Sequence, residues 1–290
     1  MNFTRRQFLT YAGAAGIGAL AVDGLIIEPG MVEFTHHELG ARSPASPTPL
    51  RFAQLSDLHL SSVGAMHREI ATTLGGLDLD FLIITGDAID GNHYLQDLDD
   101  LLALFAADLP KYAILGNWEH WGHVSIGTLG ELYAARNGNL LVNATEEIRH
   151  GDKRMLITGI DDYIAGMPSI EHALRDIPPA AHHLILAHCP MHRDYLADYT
   201  MIVTRDTSRV NPAIDFDSYR ARYLFAGHTH GGQVNIAGVR PFMPKGSGSY
   251  VQGWYRDRMP HMYVSRGVGT SILPVRIGAH PEVAIFTMWI

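Results

Sequence analysis

From residue 50 onward the chain repeats one unit: a short apolar run that stops at a polar residue, followed by an amphipathic stretch. The runs occupy 50–55, 81–85, 112–115, 155–160, 184–187 and 223–226. Each reads as a strand with a sharp end. Between the first two, Ile70, Leu74 and Leu77 recur at helical spacing, and between the second and third Leu95, Leu98, Leu101, Leu102 and Phe105 do the same. Helices are also predicted over 126–136 and over 169–175, where Ser169 can cap. A weakly alternating stretch at 32–39 predicts a first strand. Residues 43–49 carry three prolines and must form a loop or tether. Closing strands are predicted over 261–265 and 282–288, on either side of a glycine-rich turn at 266–270. Strands alternating with helices imply central sheets covered by helices.

The polar residues sit where the strands end. The first run is followed by Asp57-Leu58-His59, the second by Gly86-Asp87-Ala88-Ile89-Asp90, the third by Gly116-Asn117-Trp118-Glu119 and the fifth by His188. The sixth leads into Gly227-His228-Thr229-His230-Gly231-Gly232. In an extended turn residues two apart share a face, so both imidazoles can enter one cleft while the glycines let the backbone pass close beneath. His-x-His alone also occurs in surface loops. The other strand ends decide between the readings, because ligands gather outside the carboxyl ends of strands in sheets of this kind. Two aspartates, one asparagine and four histidines form a nitrogen and oxygen set suited to Mn, Fe, Co, Ni or Zn rather than to Ca or a thiol-bound metal. Seven ligands exceed what one ion takes, so the set predicts two divalent ions sharing Asp87 as a bridge.

The ordered series Asp-x-His, Gly-Asp, Gly-Asn, a lone His and Gly-His-x-His resembles the calcineurin-like metallophosphoesterases from residue 50 to the C-terminus. The resemblance implies an α/β fold, a four-layer αββα sandwich. It implies Asp57, His59, Asp87 and His230 as ligands of one metal, and Asp87, Asn117, His188 and His228 as ligands of the other. Asp87, Asn117 and His188 are the residues expected to matter most for catalysis. Two ions clamp a phosphoryl oxygen and lower the pKa of a bound water, giving a metal-activated hydroxide for in-line attack. The ending Gly-His-Thr-His-Gly-Gly-Gln-Val, with Arg-Gly-Val-Gly-Thr-Ser downstream, looks closest to the exported or membrane-anchored bacterial branch.

One position departs from that pattern. The usual third motif is Gly-Asn-His followed by an acid, and here Trp118 stands in the histidine's place. An indole N–H donates a hydrogen bond but transfers no proton near neutral pH. His120 or His123 is a candidate replacement. The rival reading, a catalytically weak or silent metal-binding scaffold, rests on this substitution.

Composition narrows the partners. With 290 residues and 47% hydrophobic content the chain can hold one large domain. A formal charge of -8 speaks against affinity drawn from long nucleic acids. Small phosphorylated or lipid-linked substrates are expected: phosphodiesters, or pyrophosphate-linked lipid or nucleotide-sugar compounds. Cys189 is the only cysteine, which excludes an intrachain disulfide. It reads as a small buried residue. Thr4-Arg5-Arg6-Gln7-Phe8-Leu9, followed by a Gly- and Ala-rich apolar run over 11–27 broken only by Asp23, resembles a twin-arginine export signal. Ala19-Leu20-Ala21 offers a cleavage site, and retention as a membrane anchor is the alternative. The expected organisation is a signal or anchor at 1–27, a strand and Pro-rich loop at 28–49, and the catalytic domain at 50–290. The expected partners include the twin-arginine export machinery and, through the N-terminal segment, a membrane, with a periplasmic or other extracytoplasmic location.

The remaining polar groups are assigned lesser parts. Asp90 and Glu119 are candidates to hold a metal ligand, Asp161 and Asp162 to shape the rim, and Arg266 to orient phosphate. Tyr250, Trp254, Tyr255, Arg256 and Arg258 form an aromatic and basic cluster that lines a substrate mouth, touches lipid or is simply packed. His36, His37, His182 and His183 are expected to be structural or solvated.

Overall fold

A computed structural model describes residues 22–197, 219 and 221–290. Two six-stranded sheets form its centre. The first contains β1 (Glu33–Leu39), β2 (Pro49–Leu55), β3 (Phe81–Thr85), β4 (Lys111–Ile114), β5 (Gly138–Leu140) and β12 (Glu282–Trp289), in the order β1-β12-β2-β3-β4-β5. The second contains β6 (Ala144–His150), β7 (Lys153–Gly159), β8 (His182–Leu186), β9 (Tyr223–Ala226), β10 (Gly253–Tyr255) and β11 (His261–Val264), in the order β10-β11-β9-β8-β7-β6. Strands β2 to β5 run parallel, as do β7, β8, β9 and β11. Their carboxyl ends therefore leave each sheet along one side.

Alternation along each strand builds the layers. In β3, Phe81 and Ile83 point inward and Leu82 and Ile84 outward. The inward set meets Ile157, Leu184, Leu186 and Phe225 of the second sheet in a core between the sheets. Phe52 anchors that core, stacked on Phe81 at 4.9 Å and Phe286 at 5.0 Å, with Phe225 edge-on at 5.3 Å. Each such ring, fully buried, contributes about 1.5–3 kcal/mol through apolar area alone. Outside the first sheet lie α1 (Ala65–Gly75), α2 (Leu95–Leu102) and α4 (Ile126–Ala135), which bury Leu74, Leu98, Leu102 and Leu129 against Leu82, Ile84 and Ala113. A short helix, α3 (Asn117–Trp121), precedes α4. Outside the second sheet, α5 (Ile170–Ala173) brings Ile170 onto Leu156, Ile185 and Leu224. The expected four-layer αββα arrangement is present.

Some expected elements are shorter, and others had no forecast. The helix expected over 169–175 is a single turn, capped where Ser169 Oγ accepts from His172 N–H at 3.1 Å. Strands β5, β6 and β10 lack an apolar run; β6 is an edge strand whose side chains are all partly or fully exposed. The segment 28–49 contributes β1, which pairs in parallel with β12 and so belongs to the first sheet. Among the described residues no helix is long and apolar enough to cross a membrane. Most of the expected export signal, residues 1–21, lies outside the described residues.

Candidate metal centre

After β2, β3 and β9 the chain leaves the strand in a conformation that side chains other than glycine rarely adopt. Asp57, His59, Asp87, His228 and His230 all have positive φ, between 42° and 73°. Left-handed backbone at five of the seven candidate ligands is strain held by the surrounding structure, a pattern concentrated at functional sites. The glycines explain how the turns close. Gly86, at φ 85°, has no room for a Cβ, which would come 2.7 Å from His188 Nδ1, and a Cβ at Gly116 would collide with the Asp87 carboxylate.

These turns bring six of the seven side chains together in two groups, and Asn117 lines the same cavity as Asp87, His228 and His230. Asp57, His59 and His230 form one, and Asp87, His188 and His228 the other, with the candidate ligand atoms of each group within 4.8 Å of one another. His59 Nε2 faces His230 Nε2 at 3.2 Å, and His188 Nε2 faces His228 Nδ1 at 3.2 Å. The other nitrogens of three of these rings are engaged, while His230 Nδ1 is buried without a partner. His59 Nδ1 meets Asp90 Oδ1 at 2.7 Å, His188 Nδ1 donates to the Thr85 carbonyl at 2.8 Å, and His228 Nε2 donates to the Lys245 carbonyl at 2.6 Å. The facing nitrogens of each pair are turned toward one point, an arrangement that suits a cation in place of a shared proton. Asn117 Oδ1 is buried without a hydrogen-bond donor, as a carbonyl ligand would be.

Asp87 joins the two groups. Its Oδ1 accepts from Trp118 N–H at 2.8 Å, while Oδ2 lies 3.1 Å from His188 Nε2 and 3.7 Å from His59 Nε2. Burial opposes ionisation of Asp87, yet the charge and hydrogen bond of His188, followed by His59, hold its carboxyl well below the ordinary range. Burial lowers His230 far below the usual imidazole value and, with the charge of His188, also lowers His228. Both rings are therefore neutral and able to donate a lone pair at physiological pH.

Outer groups hold this set in place. Glu119, 2% exposed, accepts from the N–H groups of Asp87, Ala88, Ile89 and Gly116 at 2.6–3.2 Å and so pins the loops after β3 and β4 to each other. Burial and the charge of Asp87 push its carboxyl up to about 7, against those four donors, which favour the ionised form. Asp57 is fixed by Ser56 Oγ at 2.5 Å and by His228 N–H at 2.9 and 3.0 Å to its two oxygens. Ser56 and the Thr85 and Lys245 carbonyls had no forecast, because a serine beside a ligand and a backbone oxygen carry no spacing signature.

A cavity of about 380 Å³ opens onto the two groups. Its walls are largely apolar, formed by Trp118, Trp121, Ile164, Phe242, Ile272 and Leu273, with Lys245 at the edge. Trp118 stands edge-on to His59 at 5.8 Å and to Trp121 at 5.6 Å. Neither His120 nor His123 lines this cavity, and His120 Nε2 is committed to Asp161 Oδ1 at 2.7 Å. Asp161 and Asp162 are buried, the latter capping a turn at Ile164 and Ala165 and accepting from the Cys189 thiol. Arg266 is paired with Glu33 at 2.7 Å and Glu282 at 3.4 Å, away from the cavity lining. The aromatic and basic cluster is packed on itself: Arg256 lies 4.6 Å above the Trp254 ring, and Tyr250 is buried against Tyr255. His37 stacks on Phe286 and His183 bonds Thr158, both in structural roles.

The chain is similar to several known proteins. The family model described as calcineurin-like phosphoesterase matches residues 50–232. The chain is 29% identical to the metallophosphoesterase YkuE of Bacillus subtilis (strain 168), over 99% of this chain and 98% of that protein. It is 26% identical to the phosphodiesterase YaeI of Escherichia coli (strain K12), over 98% of this chain and 99% of that protein. Among solved structures it resembles a 5'-nucleotidase from Staphylococcus aureus with a TM-score of 0.45 and 13% identity, over 82% of this chain and 54% of that one.

Proposed function

Because the chain belongs to the calcineurin-like phosphoesterase family, we propose that it is a binuclear metal-dependent phosphoesterase acting on phosphodiesters or on pyrophosphate-linked lipid or nucleotide-sugar compounds. The observation that carries this reading is Asp87 Oδ2, set between His188 Nε2 at 3.1 Å and His59 Nε2 at 3.7 Å, where one carboxylate oxygen can serve both groups. When bound, a pair of divalent ions supplies Lewis-acid polarisation of a phosphoryl oxygen and acidifies water. This chain's own part is to fix the ligands. The Trp118 N–H keeps Asp87 Oδ1 occupied, so that Oδ2 faces the site, and the Thr85 and Lys245 carbonyls hold the His188 and His228 tautomers. The apolar walls exclude water around the reacting phosphate and strengthen every charge interaction there.

The diester preference is supported by the cavity and by the name of one relative, a phosphodiesterase. Among the described residues lining the cavity, the imidazoles are the two candidate ligands His228 and His230, and the carboxylate is Asp87. Substrates whose leaving group departs without a proton fit such a wall best. The Mn-loaded full-length protein should hydrolyse bis-p-nitrophenyl phosphate, and Asn117→Ala and His188→Ala should each abolish turnover. Trp118 favours a second reading, a metal-binding protein with weak or no catalysis. Uptake of Mn with no turnover on any aryl ester would establish that reading in place of the first.

Export by the twin-arginine route, with the catalytic domain on the extracytoplasmic side, rests on the sequence around Arg5 and Arg6. Replacing both by lysine should leave the protein in the cytoplasm, and unchanged export would refute the route.

A further inference from the structure

Exposed apolar side chains are concentrated at the end of the molecule where the cavity opens. Among the described residues fifteen large apolar side chains are exposed, and eleven of them belong to Trp121 and to the segments 22–31, 236–242 and 271–273. A soluble surface normally scatters such residues singly, so this polarisation needs a physical reason.

Hydrogen bonds tie the three segments into one surface. The Gly24 carbonyl accepts from Arg276 N–H at 2.9 Å, and the buried Glu28 carboxylate accepts from Gly278 and Ala279 N–H at 2.9 and 2.6 Å. Asn235 N–H donates to the Ile277 carbonyl at 2.7 Å, and the Gln233 amide donates to the Ser271 and Leu273 carbonyls at 3.1 and 2.7 Å. Backbone hydrogen bonds shape the projecting parts. Ile236 and Val239 exchange two backbone hydrogen bonds of 3.0 Å across a tight turn in which Ala237 and Gly238 have φ of 52° and 89°. That turn presents Ile236 at 52% and Val239 at 68% exposure. Ile272 is 87% exposed and held at φ 63°, an unfavourable conformation for a β-branched residue. A contact made outside the folded chain would account for an isoleucine that is both strained and exposed.

The sequence identifies the occupant. Between Arg6 and Asp23 the chain has no charged residue and is rich in Ala and Gly with Phe, Leu and Ile. That uncharged run reaches the described structure at Val22, on this same surface. Lys245 is exposed and lines the cavity together with Phe242, a cation placed to meet anionic headgroups. We propose that this surface docks on a lipid bilayer, with the mouth of the metal cavity at the depth of the headgroup phosphates. The docking stands on the exposed surface itself; that the substrate is a phosphoester carried in the bilayer rests on the esterase reading above.

The test uses the full-length chain with vesicles of phosphatidylcholine and phosphatidylglycerol. A nitrobenzoxadiazole label is placed at Ile236→Cys or Val239→Cys, with Asp108→Cys at the opposite end of the strands as the reference; the native Cys189 is fully buried. Vesicles should shift the emission of labels at 236 and 239 to the blue, and doxyl lipids should quench them, while the label at 108 stays in water. Labels at 236 and 239 that behave like the one at 108 would overturn the docking, since a tethering leader alone leaves all three in water. A blue shift that needs no vesicles and grows with protein concentration would overturn it in favour of a second copy.

Activity separates the substrate claim from the docking. The double variant Ile236→Asp, Val239→Asp should keep Mn-dependent turnover of soluble bis-p-nitrophenyl phosphate and lose about tenfold or more on the p-nitrophenyl ester of phosphatidic acid in vesicles. Equal effects on both esters would refute a bilayer-borne substrate. No turnover of either ester by the unmodified chain would overturn the esterase reading and leave the docking to the labels.

Discussion

At Trp118 a single side chain separates this site from the usual motif of its family. The indole lies edge-on to His59 and walls the cavity, while its backbone N–H still orients Asp87. On the esterase reading, the indole would change the supply of a proton to the leaving group, a contribution worth roughly 10²- to 10⁴-fold in enzymes that have it. Trp118→His should therefore accelerate alkyl diester hydrolysis much more than aryl diester hydrolysis, read as kcat/KM on a paired substrate series; equal changes on both would contradict this account. The seven candidate ligands were legible in the sequence because each follows an apolar run, so spacing alone places them on one side of the sheets. The Lys245 carbonyl and Ser56 were not, since their part in orienting His228 and Asp57 depends on backbone geometry and not on residue type.

Among the elements, the buried central strands were legible and the edges were not. Strands such as β3, buried at all five positions, announce themselves by composition, whereas β6 is held by pairing to β7 and needs no apolar run of its own. The turn at α3 was hidden because Gly116 and Asn117 read as a loop, and it becomes helical when Glu119 caps its own helix and accepts across from the β3 loop. The contact between β8 and β7 sets a pH dependence that can be measured. His183, 2% exposed and 2.7 Å from Thr158 Oγ1, is pushed down to about 4 by burial. Between pH 6.5 and about 4 the unfolded ring binds a proton that the folded ring does not, so stability falls as pH falls. Over the whole window this one group costs about 3 kcal/mol. Urea midpoints of wild type should drop more steeply from pH 6.5 to 4.5 than those of His183→Gln, and parallel curves would refute the assignment.

Across the whole molecule, the two sheets meet twice: in the aromatic core around Phe52, and at the strand ends, where Asp57, His59, Asp87 and Asn117 from one sheet face His188, His228 and His230 from the other. Metal held between them ties the sheets together, so chelation should lower the melting temperature, and ion at about 100 times its dissociation constant should restore about 2.7 kcal/mol. The fold class and the convergence of the seven residues could be read from the chain. The apolar rim could not, because Ile236, Val239 and Ile272 are isolated in sequence and become a surface only when Gln233, Asn235 and Glu28 draw their segments together. The most direct test of the central claim is anomalous diffraction from Mn-soaked crystals. The account predicts two peaks about 3.5–4 Å apart, both within bonding distance of Asp87, whereas a single peak, or an Asp87 carboxylate bonded to neither ion, would contradict it.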